Sequence, residues 1–538
     1  MKKYQELKDN KVFRYKSLYD LLYKKTIENL DKDFTISINN DNIDILKYCD
    51  FFKKTNKIRE YFISIGLKKH SIINLILPNS ADLLLIQYAA LSLGILVVPV
   101  NYNLTAKEIE YIVNDSKPEM IIFDVDFINK IKSFEQNPGI KLIAFSKNIQ
   151  ISSYFNLYDV YSDISDEVIE YKEDFASLDD KALIIYTSGT SGNPKGCILT
   201  HMNLLSDGEA IAEWFKFDSN TRTLCLLPLF HNNGQVPTFL SPLWVGGSTI
   251  FNRESINFVR FWDLVYEFSV TWSSVIPTIL SILLNLNNER KDSTMKGIIC
   301  GGALLPSKVQ TEFEKRFGVP IFEGYGLTET TSFSSFNPLI IEDRIVGSVG
   351  KTLPVNCMEI LDEEGKILHA GEIGEICIRG YNVFYEYNKL PKQNQRVFRD
   401  DWFHSGDYGY KDDSGFFYIK GRKDDLIIRG GENIYPREIE NVVYMYPGVK
   451  DCAVAGITHK IMGEEPVLFI ETIDNKSIEK LDIINFIAKY LAKYKIPSKI
   501  IFMHDLADMK NIPKGPTNKL LRKNLKIYYE KNLLNKNK

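Results

Sequence analysis

Short apolar runs alternate with longer helical stretches over most of the chain. SIINLIL (71–77), GILVVPV (94–100), MIIFDV (120–125), KLIAF (141–145) and ALIIYT (182–187) read as strands. Runs of this length, apolar on both faces and spaced by helices, predict parallel sheets covered on each side. The longest apolar run, Ala81 to Val100, is broken by Asp82, Gln87 and Ser92 and punctuated by Gly94 and Pro99. It predicts a buried helix turning into a buried strand rather than a membrane span. Further on the pattern changes. GSVGKTLP, MEILDEEGKIL and GEIGEICIRG alternate apolar and polar residues around acidic-Gly turns, which predicts antiparallel β structure. A smaller α/β segment follows: VKDCAVAGI and EPVLFIETI read as strands and IEKLDIINFIAKYLAKY (478–494) as an amphipathic helix. Charges and glycine cluster between Gly421 and Asp425, so we place a boundary there, with domains at 1–421 and 422–538. The final KNLLNKNK reads as a frayed tail. The expected fold class is α/β. A large N-terminal domain of stacked, mostly parallel sheets with helices carries a β-rich subdomain, and a small mobile α/β domain follows.

Size supports that division, because 538 residues exceed what one hydrophobic core organises. Net charge is −3, from 66 basic and 69 acidic residues, so no basic excess points to nucleic acid or to an anionic membrane. The 7 cysteines are odd in number, widely spaced and without C-x-x-C, which indicates neither a disulfide framework nor a zinc site and fits a reducing cytoplasm. The N-terminal MKKYQELKDNKVFRYKSLYD lacks the apolar core of a signal peptide.

The candidate chemistry starts at YTSGTSGNPKG, Tyr186 to Gly196, directly after a strand end, where α/β folds bind ligands. Its glycines let backbone N–H groups close on an anion, its hydroxyls add donors, and Lys195 adds a compact positive charge. It reads as a polyphosphate-cradling loop, with a plain Gly/Ser surface loop as the alternative. Neither G-x-x-x-x-G-K-[ST] nor G-x-G-x-x-G is present.

Together with the following LTH, this stretch resembles the phosphate loop of the adenylate-forming superfamily, which includes acyl-CoA synthetases, peptide-synthetase adenylation domains and beetle luciferases. PLFHNNG (228–234), GGALLP (301–306), GYGLTET (324–330), GEIGEICIRG (371–380), WFHSGD (402–407), GRKDDLI (421–427), GGENIYPREIE (430–440) and IPKGPTNK (512–519) resemble further family motifs in the same order. The resemblance implies activation of a carboxylic acid by ATP and Mg²⁺ to an acyl-adenylate, then attack by a thiol. It places Thr187, Ser188, Gly189, Thr190, Ser191, Gly192 and Lys195 around the phosphates, with Gly302, Ala303, Tyr325 and Gly326 also at the nucleotide and Tyr325 stacked on adenine. Thr328 is implied at the α-phosphate, Glu329 at Mg²⁺, and Asp407 and Arg422 at the ribose. Lys519 is implied at the attacking carboxylate and the α-phosphate. Asn518 stands before it where the family has Gly; Asn is the next most tolerant residue of left-handed backbone. Asp424 matches the hinge about which the small domain rotates between half-reactions, and Gly430 and Gly431 match the wall of the pantetheine tunnel. Taken alone, several of these residues have plainer readings: Asp407 as a turn residue, Arg422 and Lys519 as solvated charges, Gly431 as a turn glycine.

PLFHNNG narrows the branch. It lacks the carboxylate that amino-acid-activating relatives carry there, and a buried ammonium without a counterion is costly. His231 matches the gate of acyl-CoA synthetases, so catalysis is implied for Lys519, His231, Thr328 and Glu329. The acyl pocket is expected from His231, Gln235, Val236, Thr238, the stretch Cys300, Gly301, Gly302 and Ala303, and Gly326 to Thr331. The expected activity is a stand-alone, AMP-forming acyl-CoA synthetase acting on a small carboxylic acid with CoA as thiol. A carrier-protein phosphopantetheine is the alternative acceptor, and a non-catalytic nucleotide-binding protein is a further alternative.

Overall fold

The computed structural model describes residues 13–39, 42–147, 149, 153–165, 167–187, 194–252, 258–286, 294–473, 478–515 and 520–532. The apolar runs form strands where the pattern placed them: Ile72–Ile76, Leu96–Pro99, Met120–Asp124, Lys141–Phe145 and Lys181–Thr187. These five pair in parallel, and the antiparallel strands Lys195–Thr200 and Glu386–Tyr387 extend them to a seven-stranded sheet. The run from Ala81 is the helix Ala81–Ser92, every residue of it buried, capped by the Ser80 side chain on the Leu83 N–H and followed directly by strand.

A nine-stranded sheet lies beside the first, parallel at its centre and antiparallel at both margins. One continuous apolar core joins the two. It takes the helix Ala81–Ser92, Ile185, Cys197 and Leu199 from one side and Ile299, Phe322 and Tyr325 from the other. The alternating segment forms the antiparallel sheet built from Asn356–Leu361, Gly374–Gly380, Trp402–Lys411 and Phe417–Arg422.

The chain leaves that sheet at Arg422, makes a short 3-10 turn over Lys423–Asp425, and enters another at Ile427. This last sheet includes the long hairpin Val449–His459 with Gly463–Thr472 and carries apolar cores of its own on each face. The helix expected over 478–494 is shorter than the pattern. It spans Lys480–Ile487, and the chain goes on to a 3-10 turn over Lys493–Lys495. Arg429 donates to the carbonyls of Tyr494 and Ile496 at 2.9 and 3.2 Å and ties that later turn to the sheet. No helix among the described residues is long and apolar enough to cross a membrane.

Candidate active site

A cleft of about 2460 Å³ runs between the two large sheets and the C-terminal sheet. Thr187 and Lys195 reach it because they face each other across the antiparallel strands Lys181–Thr187 and Lys195–Thr200, at the mouth of the glycine-rich loop. Tyr325 reaches it from the end of the strand Ile321–Tyr325, and Gly326, Thr328 and Glu329 from the turn that follows. At Gly326 a Cβ would collide with the backbone of Ser332 and Phe333, so only glycine lets this turn fold back on itself.

Opposite stands an ion pair. Asp407 and Arg422 are cross-strand partners, and Arg422 Nε lies 2.8 Å from Asp407 Oδ1. The other carboxylate oxygen, Oδ2, accepts the Tyr325 hydroxyl at 2.6 Å. Asp407 raises the Arg422 pKa above its ordinary value, and burial raises the Tyr325 phenol, so the guanidinium stays charged and the phenol neutral. A carboxylate backed by a fixed cation and a phenol suits the acceptance of hydroxyl donors.

His231, Gly302, Ala303 and Asp424 also line the cleft. Ser188, Gly189, Thr190, Ser191 and Gly192 lie outside the described residues, as does Lys519 with Asn518. The flanks of Lys519, Gly515 and Leu520, both line the cleft.

Several expected pocket residues are elsewhere. Gln235 is 4% exposed, accepts the Gln87 amide at 2.8 Å and donates to the Leu229 carbonyl, so its polarity is spent inside the core. Val236 is fully buried, and Thr238 donates to the Gly234 carbonyl one turn back. Gly301 does not line the cleft, because Phe333 and the Gly324 carbonyl occupy the space a Cβ would take. Cys300, Thr330 and Thr331 are likewise buried away from it. Gly430 and Gly431, both at positive φ, sit in an exposed turn and not in the cleft. The C-terminal sheet is docked here with the segment flanking Lys519 inward instead.

Other residues shape the site without having been singled out. Tyr387 lines the cleft and donates to Glu329 Oε1 at 2.7 Å. Asp207, fully buried in the helix His201–Trp214, accepts from Phe333 N and the Asn382 amide, and Asn382 donates in turn to the carbonyls of Thr330 and Phe333. This clamp holds the turn after Glu329, in which Thr331 sits at φ 65°. Glu375 accepts from the Gly406 N–H at 3.0 Å and so fixes the turn into Asp407. Glu375, Cys377 and His404 also bring their ligand atoms within 4.8 Å of one another. The Arg399 guanidinium, 3.3 Å from Glu375 Oε2 and 2.8 Å from His404 Nδ1, fills the cation's place there. For a hard divalent cation, Glu329 is the better fit: its Oε2 carries no hydrogen bond among the described residues, and it stands beside the Thr328 hydroxyl in the cleft.

Glu323 lines the same cleft, and burial pushes its carboxyl up to about 8 against the pull of the Arg437 guanidinium. The ordinary carboxyl of the unfolded chain titrates near 4.3. Between those values the folded protein holds the extra proton, so Glu323 contributes stability that is lost as pH rises toward 8. Glu323→Gln keeps the neutral shape. Its unfolding free energy from urea curves is expected to change less between pH 5 and pH 8.5 than the parent's, by an amount on the order of a few kcal/mol. Parallel curves would show that Glu323 is ionised throughout.

Comparison with known proteins gives a consistent picture. The AMP-binding enzyme family model matches residues 28–388, and the model of the AMP-binding enzyme C-terminal domain matches residues 438–511. A sulfoacetate–CoA ligase of Cupriavidus necator is 30% identical over 465 residues, 86% of this chain and 88% of that protein. An oxalate–CoA ligase of Arabidopsis thaliana is 31% identical over 471 residues, 85% of this chain and 88% of that protein. Among solved structures, ATP-bound MatB from Rhodopseudomonas palustris superposes with a TM-score of 0.84 at 28% identity, covering 95% of this chain and 99% of that one.

Proposed function

Because the chain belongs to the AMP-binding enzyme family, we propose that this cleft carries out both halves of that family's chemistry on a small carboxylic acid without an α-ammonium group. The protein is an AMP-forming acid–thiol ligase, using ATP, Mg²⁺ and CoA. In the first half, an oxygen of the acid attacks the α-phosphorus of ATP, the bond to the bridging oxygen breaks, and pyrophosphate leaves. In the second, the CoA sulfur attacks the acyl carbon of the mixed anhydride, AMP departs with the bonding pair, and the thiol proton goes to solvent.

The roles follow from charge. The first step brings an anion onto a polyanion, so it needs fixed positive charge and donors around the phosphates. Lys195 supplies a cation at the mouth of the phosphate loop, and the Thr328 hydroxyl is a donor for the α-phosphate. Asp407, held by Arg422 and Tyr325, receives the ribose hydroxyls. Lys519, between Gly515 and Leu520 in the sequence, is assigned to the carboxylate and the α-phosphate. Glu329 with Thr328 would hold Mg²⁺, which when bound neutralises the developing pyrophosphate. His231 stands at the acyl end as gate, and Asp424 lies in the turn about which the C-terminal unit, from about Arg422 onward, would swing to bring Gly430 and Gly431 to the thiol.

The observation that carries this reading is the convergence in one cleft of a phosphate-type lysine, a hard-oxygen carboxylate and a buried ribose-type carboxylate, although the three lie far apart in sequence. The acid class rests on PLFHNNG, where Asn232 and Asn233 stand and no carboxylate could pair an ammonium. The named relatives are CoA ligases of sulfoacetate and oxalate, both small acids, which supports CoA as the thiol. Pyrophosphate exchange with a panel of simple acids and free amino acids tests it. Exchange is expected with an acid and not with an amino acid; strong exchange with an amino acid would overturn the substrate class. His231→Ala is expected to slow the thioester step more than exchange.

A further inference from the structure

We infer that Tyr387 is a positioning residue that keeps Lys195 and Glu329 apart at the polyphosphate subsite and fixes one oxygen of Glu329 so that the other is left for the metal. This rests on the assignment of Glu329 to Mg²⁺ made above.

One ring touches both charged groups. The Tyr387 hydroxyl donates to Glu329 Oε1 at 2.7 Å, and Lys195 Nζ lies over the ring face, 5.3 Å from its centre. Fold topology creates the contact. The two-residue strand Glu386–Tyr387 adds to the edge of Lys195–Thr200, pairing Tyr387 with Cys197, two residues beyond Lys195. The same edge is stitched to the Glu329 turn, since Phe384 N donates to the Glu329 carbonyl at 2.8 Å. The Tyr387 backbone is held on both sides by Asn394, whose Oδ1 takes the Tyr387 N–H at 2.8 Å and whose amide donates to the Tyr387 carbonyl at 3.0 Å. The ring, packed on Phe384 and 5% exposed, therefore has little freedom to move.

A lysine and a glutamate that contact the same ring attract one another. If they closed on each other, neither would be available to phosphate or metal. The phenol prevents this with a neutral body. Its ring face satisfies the ammonium, and its hydroxyl occupies a single carboxylate oxygen. Hydrogen bonds to a ligating carboxylate orient it and tune its affinity for the metal.

Two substitutions separate the two contacts. Tyr387→Phe removes the hydroxyl and keeps the ring; Tyr387→Leu removes both. Binding of ATP is measured by calorimetry without acid, so that no turnover occurs, once with Mg²⁺ and once with chelator. AMP binding at Asp407 reports that each variant is folded. Tyr387→Phe is expected to cut the Mg²⁺-dependent gain in ATP affinity by about 10-fold while leaving metal-free ATP and AMP binding at parental values. Tyr387→Leu is expected to weaken metal-free ATP binding as well, by about 3-fold. Glu329→Gln runs alongside and is expected to abolish the Mg²⁺-dependent gain. If Glu329→Gln removes the gain and Tyr387→Phe does not, the positioning role is wrong. A fall in metal-free ATP and AMP binding equal to the fall with Mg²⁺ in Tyr387→Phe would mean that the hydroxyl only supports packing, which also overturns it. If Glu329→Gln leaves the gain intact, the metal assignment itself fails and the inference falls with it.

Discussion

Lys519→Ala slows acyl-adenylate formation by about 10²–10³-fold and leaves thioester formation from a supplied acyl-adenylate near the parental rate. The asymmetry follows from where charge develops. In the first half-reaction the acid and the α-phosphate are both anionic, and a lysine that touches both stabilises their approach more than it stabilises either alone. In the second half-reaction a thiol attacks a carbonyl, and no cation is needed between acid and phosphate. Gly515 and Leu520, on either side of the lysine segment, line the cleft, while Gly430 and Gly431 stand outside it. This is the arrangement that the proposed role of Lys519 in the first half-reaction requires. Asn518 precedes the lysine, and an asparagine accepts the left-handed backbone that a glycine would otherwise supply. Separate assays of the two half-reactions, with synthetic acyl-adenylate for the second, check this. An equal loss in both would give Lys519 a structural role, and no loss in either would mean that another cation serves.

Asp407→Asn lowers the affinity for ATP and AMP by about 10²-fold, because two ribose hydroxyls lose a charged acceptor. The amide keeps the carboxylate's shape. It can present its oxygen to Arg422 and its NH₂ to Tyr325, which then accepts through its hydroxyl oxygen, so the fold survives. Arg422 Nε and the Tyr325 hydroxyl are the groups that now hold the carboxylate, at 2.8 and 2.6 Å. The Arg422 side chain is 36% exposed, so solvent softens the loss of its partner. Stability falls by only about 1 kcal/mol. The diagnostic is discrimination. The parent is expected to prefer ATP over 2′-deoxy-ATP, and Asp407→Asn to lose most of that preference. A variant that binds AMP as the parent does would remove Asp407 from the ribose site.

How much of this the sequence revealed depends on the range of the interaction. Strands such as Met120–Asp124 and the helix Ala81–Ser92 were legible because burial on all sides writes itself into consecutive residues. Thr187, Lys195, Tyr325, Thr328, Glu329, Asp407 and Arg422 could be picked out as candidates because each lies in a short motif with a glycine within three residues. Tyr387 was not, since its importance comes from pairing with Cys197, far away in the chain. Asp207 and Asn382 were hidden for the same reason: a buried carboxylate and an amide that meet across the fold look like ordinary polar residues in their own windows. Gln235, Val236 and Thr238 were placed in the acyl pocket by their nearness to His231 in sequence. The segment after His231 winds through a π turn over Val236–Leu240 that directs Val236 and Phe239 into the core, where Phe239 packs on Phe34 and Phe51. The helix over 478–494 was overdrawn because its apolar spacing runs on into a 3-10 turn over Lys493–Lys495 that Arg429, from a different strand, holds by the carbonyls of Tyr494 and Ile496.

The central claim is that one cleft makes an acyl-adenylate first and a thioester second. It is tested most directly by quenched mass spectrometry of the protein with ATP, Mg²⁺ and an acid that supports exchange, first without CoA and then with CoA added. The account predicts acyl-AMP and pyrophosphate in the first stage, and conversion of that acyl-AMP to acyl-CoA and AMP in the second. Formation of ADP and an acyl phosphate, or acyl-AMP that persists unchanged after CoA is added, would contradict it.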